Sequence, residues 1–467
     1  MLWVYFIASI FISSLVGPNN GYTVNRNLPE EEPKEIFDTY QAILDEGYPA
    51  ETHHVTTPDG YILEVIRIPH GRNQTRNNAP RPVVFMMHGL LAAASSFVIR
   101  GSEYSIAYHL VDAGFDIWMG NARGNHFSRF HITLDPDHPE EKFDFFDFTF
   151  EEIGMYDLPT MIDYVLEKTG REELHYIGHS QGGTAFLVLS TMRPDYNKKI
   201  KAAHLMAAVG YQDHMPNEQL ISLARHVDAI YAIALLQGLV EYFPLDQLFE
   251  ERRSINPDNC FGDTKYKDMC YLSGSRGLVS DETDASLLLA GASLKQIAHY
   301  GQNIRDIKFR RWHHGDAKNI EIYGTIDPPI YDLNQISTYV TMHYSLSDTL
   351  LDERDVIAMV NDIPKSKARK VERESFLHED YVTSKDAKEM VTDFIIEDIW
   401  KIEAGNFDDW DKTPVIEEDK EEEDKEVEDN PGVTESPGEV PSAACGLSLT
   451  LVQVYLIACS FYVVLRK

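Results

Sequence analysis

Gly178-His179-Ser180-Gln181-Gly182 (GHSQG) stands between an apolar strand-like run, Leu174 to Ile177, and a helix-like run, Thr184 to Leu189. A serine in that setting reads as the sharp strand-to-helix turn that lifts a hydroxyl into a reaction site. The two glycines are there for space, because a side chain at either position would block the approach of strand and helix. The elbow therefore fixes both a fold class and a candidate nucleophile, Ser180.

Around the elbow, from about residue 30 to 405, strand and helix patterns alternate. That alternation predicts an α/β fold with a mostly parallel sheet and helices on both faces. Val83 to Met87 and Phe115 to Met119 are continuous apolar runs, as expected of strands buried on both sides. Leu158, Met161, Ile162, Val165 and Leu166 recur at helical spacing, and Gly170 closes that helix. Thr56 to Pro69 opens with Pro-Asp-Gly between two strand-like runs and predicts a hairpin. Ala202 to Val209 and Tyr339 to Tyr344 read as strands, a helix begins near Glu353, and the last helix spans roughly 385 to 402. The stretch from about 211 to 310 breaks the alternation with an apolar helix, Ala229 to Val240, and a polar loop. It reads as a cap over the site, with an ordinary core helix followed by a long surface loop as the alternative.

A serine hydroxyl is a poor nucleophile until a base takes its proton, and an imidazole needs a carboxylate to hold its tautomer. After this kind of elbow the chain order is serine, acid, histidine. Asp348 follows the strand Tyr339 to Tyr344 and is the expected acid. Asp352 and Asp355 fall at the start of the next helix, where carboxylates suit the N-terminal dipole. His378 is the only histidine after His343, and His343 precedes the acid, so His378 is the expected base. The negative oxygen formed on attack needs two backbone N–H donors. Gln181 offers one, and Leu90, in His88-Gly89-Leu90-Leu91 after an earlier strand, offers the other.

The two ends read as address segments. Residues 2 to 16 (LWVYFIASIFISSLV) form an apolar run that reads as a signal peptide within residues 1–21. Residues 447–465 carry no charge and precede Arg466 and Lys467. A spanning helix fits that run, and so does the attachment signal of a glycolipid anchor. Between domain and tail, residues 406–446 read as a disordered acidic linker. Its segment 417 to 429 holds ten carboxylates and two lysines. The chain's net charge of −33 argues against nucleic acid as a partner.

Asn73-Gln74-Thr75 is a glycosylation sequon, which fits the secretory pathway, with an extracellular or lumenal address and the lysosome as an alternative. Cys260 and Cys270 lie close together in a polar loop, where an oxidising compartment would permit a bridge. With neither Cys-x-x-Cys nor His-Glu-x-x-His present, no metal site is expected. The pairs His53-His54 and His313-His314 read as surface histidines.

The segments RPVVFMMHGLLA, GFDIWMGNARGN, YDLPTMIDYVLEKTG, LHYIGHSQGG, IEIYGTIDPPIYDLNQI and SDTLLDERDV together resemble the acid lipase family, over residues 30 to 402. The resemblance implies an α/β-hydrolase core with an inserted helical cap and lid. It implies hydrolysis of carboxylic esters of neutral lipids, such as triacylglycerols and sterol esters, at a membrane or lipid interface and without a cofactor. It maps the nucleophile to Ser180, the acid to Asp348, the base to His378, the oxyanion donors to Leu90 and Gln181, and a cap disulfide to Cys260 and Cys270. The chain departs from the family pattern at Gly183, His126, the turn Tyr344-Ser345-Leu346-Ser347-Asp348, and His378-Glu379-Asp380-Tyr381. Fold does not dictate turnover, so a membrane-held scaffold that binds without catalysing is the alternative expectation.

Overall fold

The computed structural model describes residues 37–72, 81–242, 289–407 and 410. Asn73, the polar loop of the cap with Cys260 and Cys270, and both terminal segments lie outside the described residues. Eleven strands are described: β1 (Glu51–Thr56), β2 (Tyr61–Ile68), β3 (Val83–Met87), β4 (Asp116–Gly120), β5 (Phe130–His131), β6 (Leu174–His179), β7 (Ile200–Met206), β8 (Glu241–Tyr242), β9 (Ala292–Ser293), β10 (Tyr339–Tyr344) and β11 (Ser366–Lys370).

The main sheet has the order β1-β2-β4-β3-β6-β7-β10-β11, with β5 paired to β2. From β4 to β11 every pairing is parallel, and β2 runs against both of its neighbours, β1 and β4. The central strands are buried throughout because helices cover both faces. Every residue of β3, β4 and β6 is buried. Each large apolar side chain sealed there contributes about 1.5–3 kcal/mol relative to exposure. The helix Leu158–Thr169 turns the predicted apolar stripe inward and ends on Gly170 in the left-handed region.

Strand order decides where the site lies. The chain lays β4 on one side of β3 and then crosses to place β6 on the other. Ligand crevices in open α/β sheets form at such a reversal, beyond the carboxyl ends of the strands. His88 follows β3 and Ser180 follows β6 at that crevice.

Several boundaries differ from the sequence reading for local reasons. The strand predicted to Val209 stops at Met206, because Ala207 takes a left-handed backbone (φ 50°). The final helix is regular only over Asp393–Glu403 and is entered through a wide turn, Lys388–Thr392. Along it Val391, Ile395 and Ile399 are buried, while Met390 and Phe394 are half-buried. His53 is not a plain surface residue. Its ring packs against Trp118 and its Nδ1 lies 2.9 Å from the Tyr164 hydroxyl.

Between β7 and β10 the chain carries the helices Glu218–Ala224, Val227–Leu236, Leu294–Asp306 and Asp316–Tyr323. The antiparallel pair β8–β9 closes the neck of this excursion. Among the described residues, no single helix is long and apolar enough to cross a membrane.

Candidate active site

Ser180 sits at the tip of the elbow with φ 50° and ψ −115°, between β6 and the helix Gln181–Met192. A non-glycine residue held there costs on the order of 1–3 kcal/mol, so its surroundings must over-determine it. They do. Its N–H donates to the Met206 carbonyl of β7 (2.9 Å), and its own carbonyl accepts from the Gly183 and Thr184 N–H groups. Gly182 lets the elbow close onto β3, since a Cβ there would lie 2.1 Å from the Met87 carbonyl oxygen.

The structure brings the three expected side chains into one relay. The His378 Nε2 lies 2.8 Å from the Ser180 Oγ, and the His378 Nδ1 lies 2.8 and 3.0 Å from the two Asp348 oxygens. All three residues are buried. A carboxylate only accepts, so Nδ1 carries the proton and Nε2 is left to accept from the serine hydroxyl. Asp348 is itself steadied by the Leu350 N–H, which donates to its Oδ1 at 2.8 Å. Burial disfavours the charged imidazole. The Asp348 charge and hydrogen bond, with the Glu379 charge, outweigh that and raise His378 above its ordinary value.

The rival residues are occupied elsewhere. Asp352 caps the helix Glu353–Asp362, accepting from the Arg354 N–H. Asp355 holds His214 at 2.7 Å. His343 lies inside β10 beside His204 of β7, with ring nitrogens 3.2 Å apart, and burial keeps both rings neutral far below the usual range.

The two expected oxyanion donors flank the crevice. Gln181 opens its helix, where the N–H has no intrahelical acceptor. Leu90 depends on a residue that the sequence reading passed over, His88. The His88 Nε2 accepts the Ala122 N–H at 3.0 Å, and a backbone N–H can only donate. Its proton therefore sits on Nδ1 and is donated to the Gly89 carbonyl at 2.8 Å. In a trans peptide the C=O and the following N–H point in opposite directions. The clamp on Gly89 thus aims the Leu90 N–H away from His88. Burial pushes His88 down to about 4, which keeps it in the neutral form this bonding requires.

That clamp is braced from the segment after β4, where Asn125 Nδ2 also donates to the His88 Nε2 (3.3 Å). Asn125 Nδ2 donates to Asn121 Oδ1 (3.1 Å), which also accepts the Ala94 N–H, and Asn121 Nδ2 donates to Glu64 (3.0 Å). Arg123 is buried between Asp157 and Asp59. These contacts explain why GNARGN is dense in polar residues although it lies in the interior. His126 is buried, and its N–H donates to the Ala290 carbonyl (2.8 Å), while the Ala290 N–H donates to the Leu91 carbonyl.

One further residue, His179, touches the relay without having been singled out as a member of it, and the Gln181 side chain makes a second link from the elbow. The His179 Nε2 donates to the backbone carbonyl of His378 at 2.9 Å, tying the base-bearing loop to the elbow. The Gln181 side chain donates to Gln296 at 2.7 Å, joining the elbow to the excursion between β7 and β10. His179 lies within the GHSQG motif itself, and that adjacency was the available signal. Ring nitrogens of His179 and His378 and a Glu379 oxygen lie within 4.8 Å of one another. Both nitrogens of His378 are already committed to Ser180 and Asp348, so this trio offers no free donor set for a metal.

Comparison with known proteins agrees with this fold. Residues 39–101 match the family described as "partial alpha/beta-hydrolase lipase region", and residues 82–243 match "alpha/beta hydrolase fold". Lipase 3 of Drosophila melanogaster is 36% identical over 380 residues, covering 79% of this chain and 94% of that protein. Human gastric triacylglycerol lipase is 31% identical over 414 residues, covering 85% of this chain and 98% of its own length. Human lipase member K is 32% identical over 393 residues, covering 82% and 95%.

Proposed function

The chain belongs to the acid lipase family of the α/β-hydrolase fold, and from that premise we propose how its own residues hydrolyse the carboxylic esters of neutral lipids. The observation that carries the reading is the continuous relay from Ser180 Oγ through His378 to Asp348, with contacts of 2.8 Å on both sides of the imidazole. The gastric relatives' name supports triacylglycerols as a substrate class, and sterol esters share the same bond.

Ser180 Oγ attacks the ester carbonyl carbon as His378 Nε2 takes its proton. Asp348 stabilises the imidazolium so formed and keeps the ring in register. The N–H groups of Leu90 and Gln181 receive the negative oxygen of the tetrahedral intermediate. When the intermediate collapses, the C–O bond to the alcohol breaks and His378 returns its proton to the leaving alkoxide. Water then repeats the cycle on the acyl-serine, releasing the fatty acid and restoring the hydroxyl. No step calls for a cofactor.

The reaction belongs to a secreted or lumenal protein. The apolar run at residues 2 to 16 and the sequon at Asn73 support that address. Attachment to the membrane through residues 447–465 is part of the same reading, as is a Cys260–Cys270 bridge in the cap. The alternative of a scaffold that binds without turnover has against it an intact relay and relatives named as lipases.

Ser180→Ala decides between them. Removing the nucleophile of such a relay lowers turnover by on the order of 10⁴–10⁶-fold. The parent is expected to hydrolyse a triacylglycerol or sterol-ester emulsion and to react with a fluorophosphonate at Ser180, and the folded variant to do neither. Equal rates for variant and parent would overturn the assignment.

A further inference from the structure

Glu379 directly follows the base in sequence and turns back towards it. Its Oε2 lies 3.9 Å from the His179 Nδ1, and its carboxylate and one ring nitrogen each of His179 and His378 fall within 4.8 Å of one another. Its side chain is only 19% exposed, so water screens it weakly. His179 Nδ1 is buried with no hydrogen-bond partner. The His179 proton is on Nε2, because that nitrogen donates to the His378 carbonyl. A carboxylate placed opposite an unprotonated, buried ring nitrogen is not there to accept a hydrogen bond in the resting state.

We propose that Glu379 is a positioning residue for the hydrolytic relay, a second carboxylate that favours the protonated state of His378 and so moves the working range of the enzyme towards neutral pH. The proposal rests on the hydrolase reading above and deepens it. An opposite charge within roughly 4–6 Å stabilises the charged form of a titrating group. Asp348 supplies the first such charge through contact with Nδ1, and Glu379 supplies the second, with a carboxylate oxygen within 4.8 Å of a His378 ring nitrogen.

The other charged and titrating groups near the imidazole do not take over this part. From the elbow, His179 is kept neutral by burial, and a charge on it would oppose one on His378. From the loop after β3, His88 is likewise neutral. From the base-bearing segment, Asp380 is turned away, bonded to Arg373 and to the Leu377 N–H. Tyr381 is buried and its hydroxyl is held protonated, well above its ordinary range, chiefly by burial. Asp348 and Glu379 are the two negative groups that raise His378.

The consequence has a sign. A base must be unprotonated to accept the serine proton, so raising its pKa moves the acid limb of kcat/KM upward in pH. Glu379→Gln and Glu379→Leu are expected to shift that limb to lower pH by roughly half a unit or more, with little change on the plateau. A merely structural contact would lower the plateau and leave the limb in place. The His378 ring should also be titrated by ¹H–¹⁵N NMR in parent and variants, which needs no turnover. A lower midpoint in both variants supports the proposal, and midpoints that coincide with the parent overturn it. Failure of the parent to cleave any ester would refute the hydrolase reading instead, and the NMR midpoints would still decide the role of Glu379.

Discussion

Gly183 and Ala208 share a single methyl-sized space: a Cβ built on Gly183 would lie 2.3 Å from the Ala208 Cβ. At Gly183, that space is filled by a side chain from the segment following β7. Gly183→Thr is expected to destabilise the fold by about 1–3 kcal/mol through overpacking. Pairing it with Ala208→Gly should recover most of that loss. Urea unfolding of the three variants checks it, and strictly additive losses would show that the two positions do not compete.

Asp348 accepts from His378 Nδ1 and so fixes its tautomer, besides supplying the charge that favours the imidazolium. Asp348→Asn keeps the shape but offers an N–H to Nδ1, which favours the wrong tautomer. Loss of about 10⁴-fold in kcat is expected, with the melting temperature close to that of the parent. A loss under tenfold would mean that another group orients the ring.

His299 is stacked on Phe150, with ring centroids 4.0 Å apart, and its Nε2–H donates to the Arg310 carbonyl. Burial pushes it down to about 4 from an ordinary 6.5. The unfolded chain therefore binds a proton that the folded one refuses. Stability from this group is complete above pH 6.5 and is lost as pH falls towards 4, at about 1.4 kcal/mol per unit. His88, His179, His204 and His343 are displaced in the same direction, so the whole molecule should weaken steeply in acid. His299→Gln keeps the donor to Arg310 and removes one titrating ring. Its unfolding free energy, measured between pH 7.5 and 4.5, should fall less steeply by one such slope. Parallel curves would refute the account.

Much of this was legible in the sequence because strand periodicity and chain order are local signals. Val83–Met87 and Tyr339–Tyr344 are strands at the residues where the apolar runs place them. The elbow, the acid after the sixth parallel strand's neighbour and the last histidine follow from order alone, and the coordinates bring Ser180, Asp348 and His378 together. What stayed hidden depends on contacts between distant segments. Nothing near His88 in sequence announces that the Ala122 N–H will fix its tautomer, and nothing near Gly183 announces Ala208. His53 was misread because Trp118 and Tyr164 reach it from other elements. The early end of β7 turns on a left-handed residue, Ala207, which composition does not reveal.

The chain leaves the sheet after β7 and rejoins it at β10, its immediate neighbour, with Ala202 facing Tyr339 and Met206 facing His343. The long detour therefore starts and finishes at one seam of the scaffold. Because closing a longer loop costs only slightly more than closing a shorter one, that detour is free to lengthen, shrink or be exchanged. A transplant from a relative cut at this seam would keep the pairing of β7 with β10, but it would have to supply its own partners for Gln181 and Leu91, which Gln296 and Ala290 hold here.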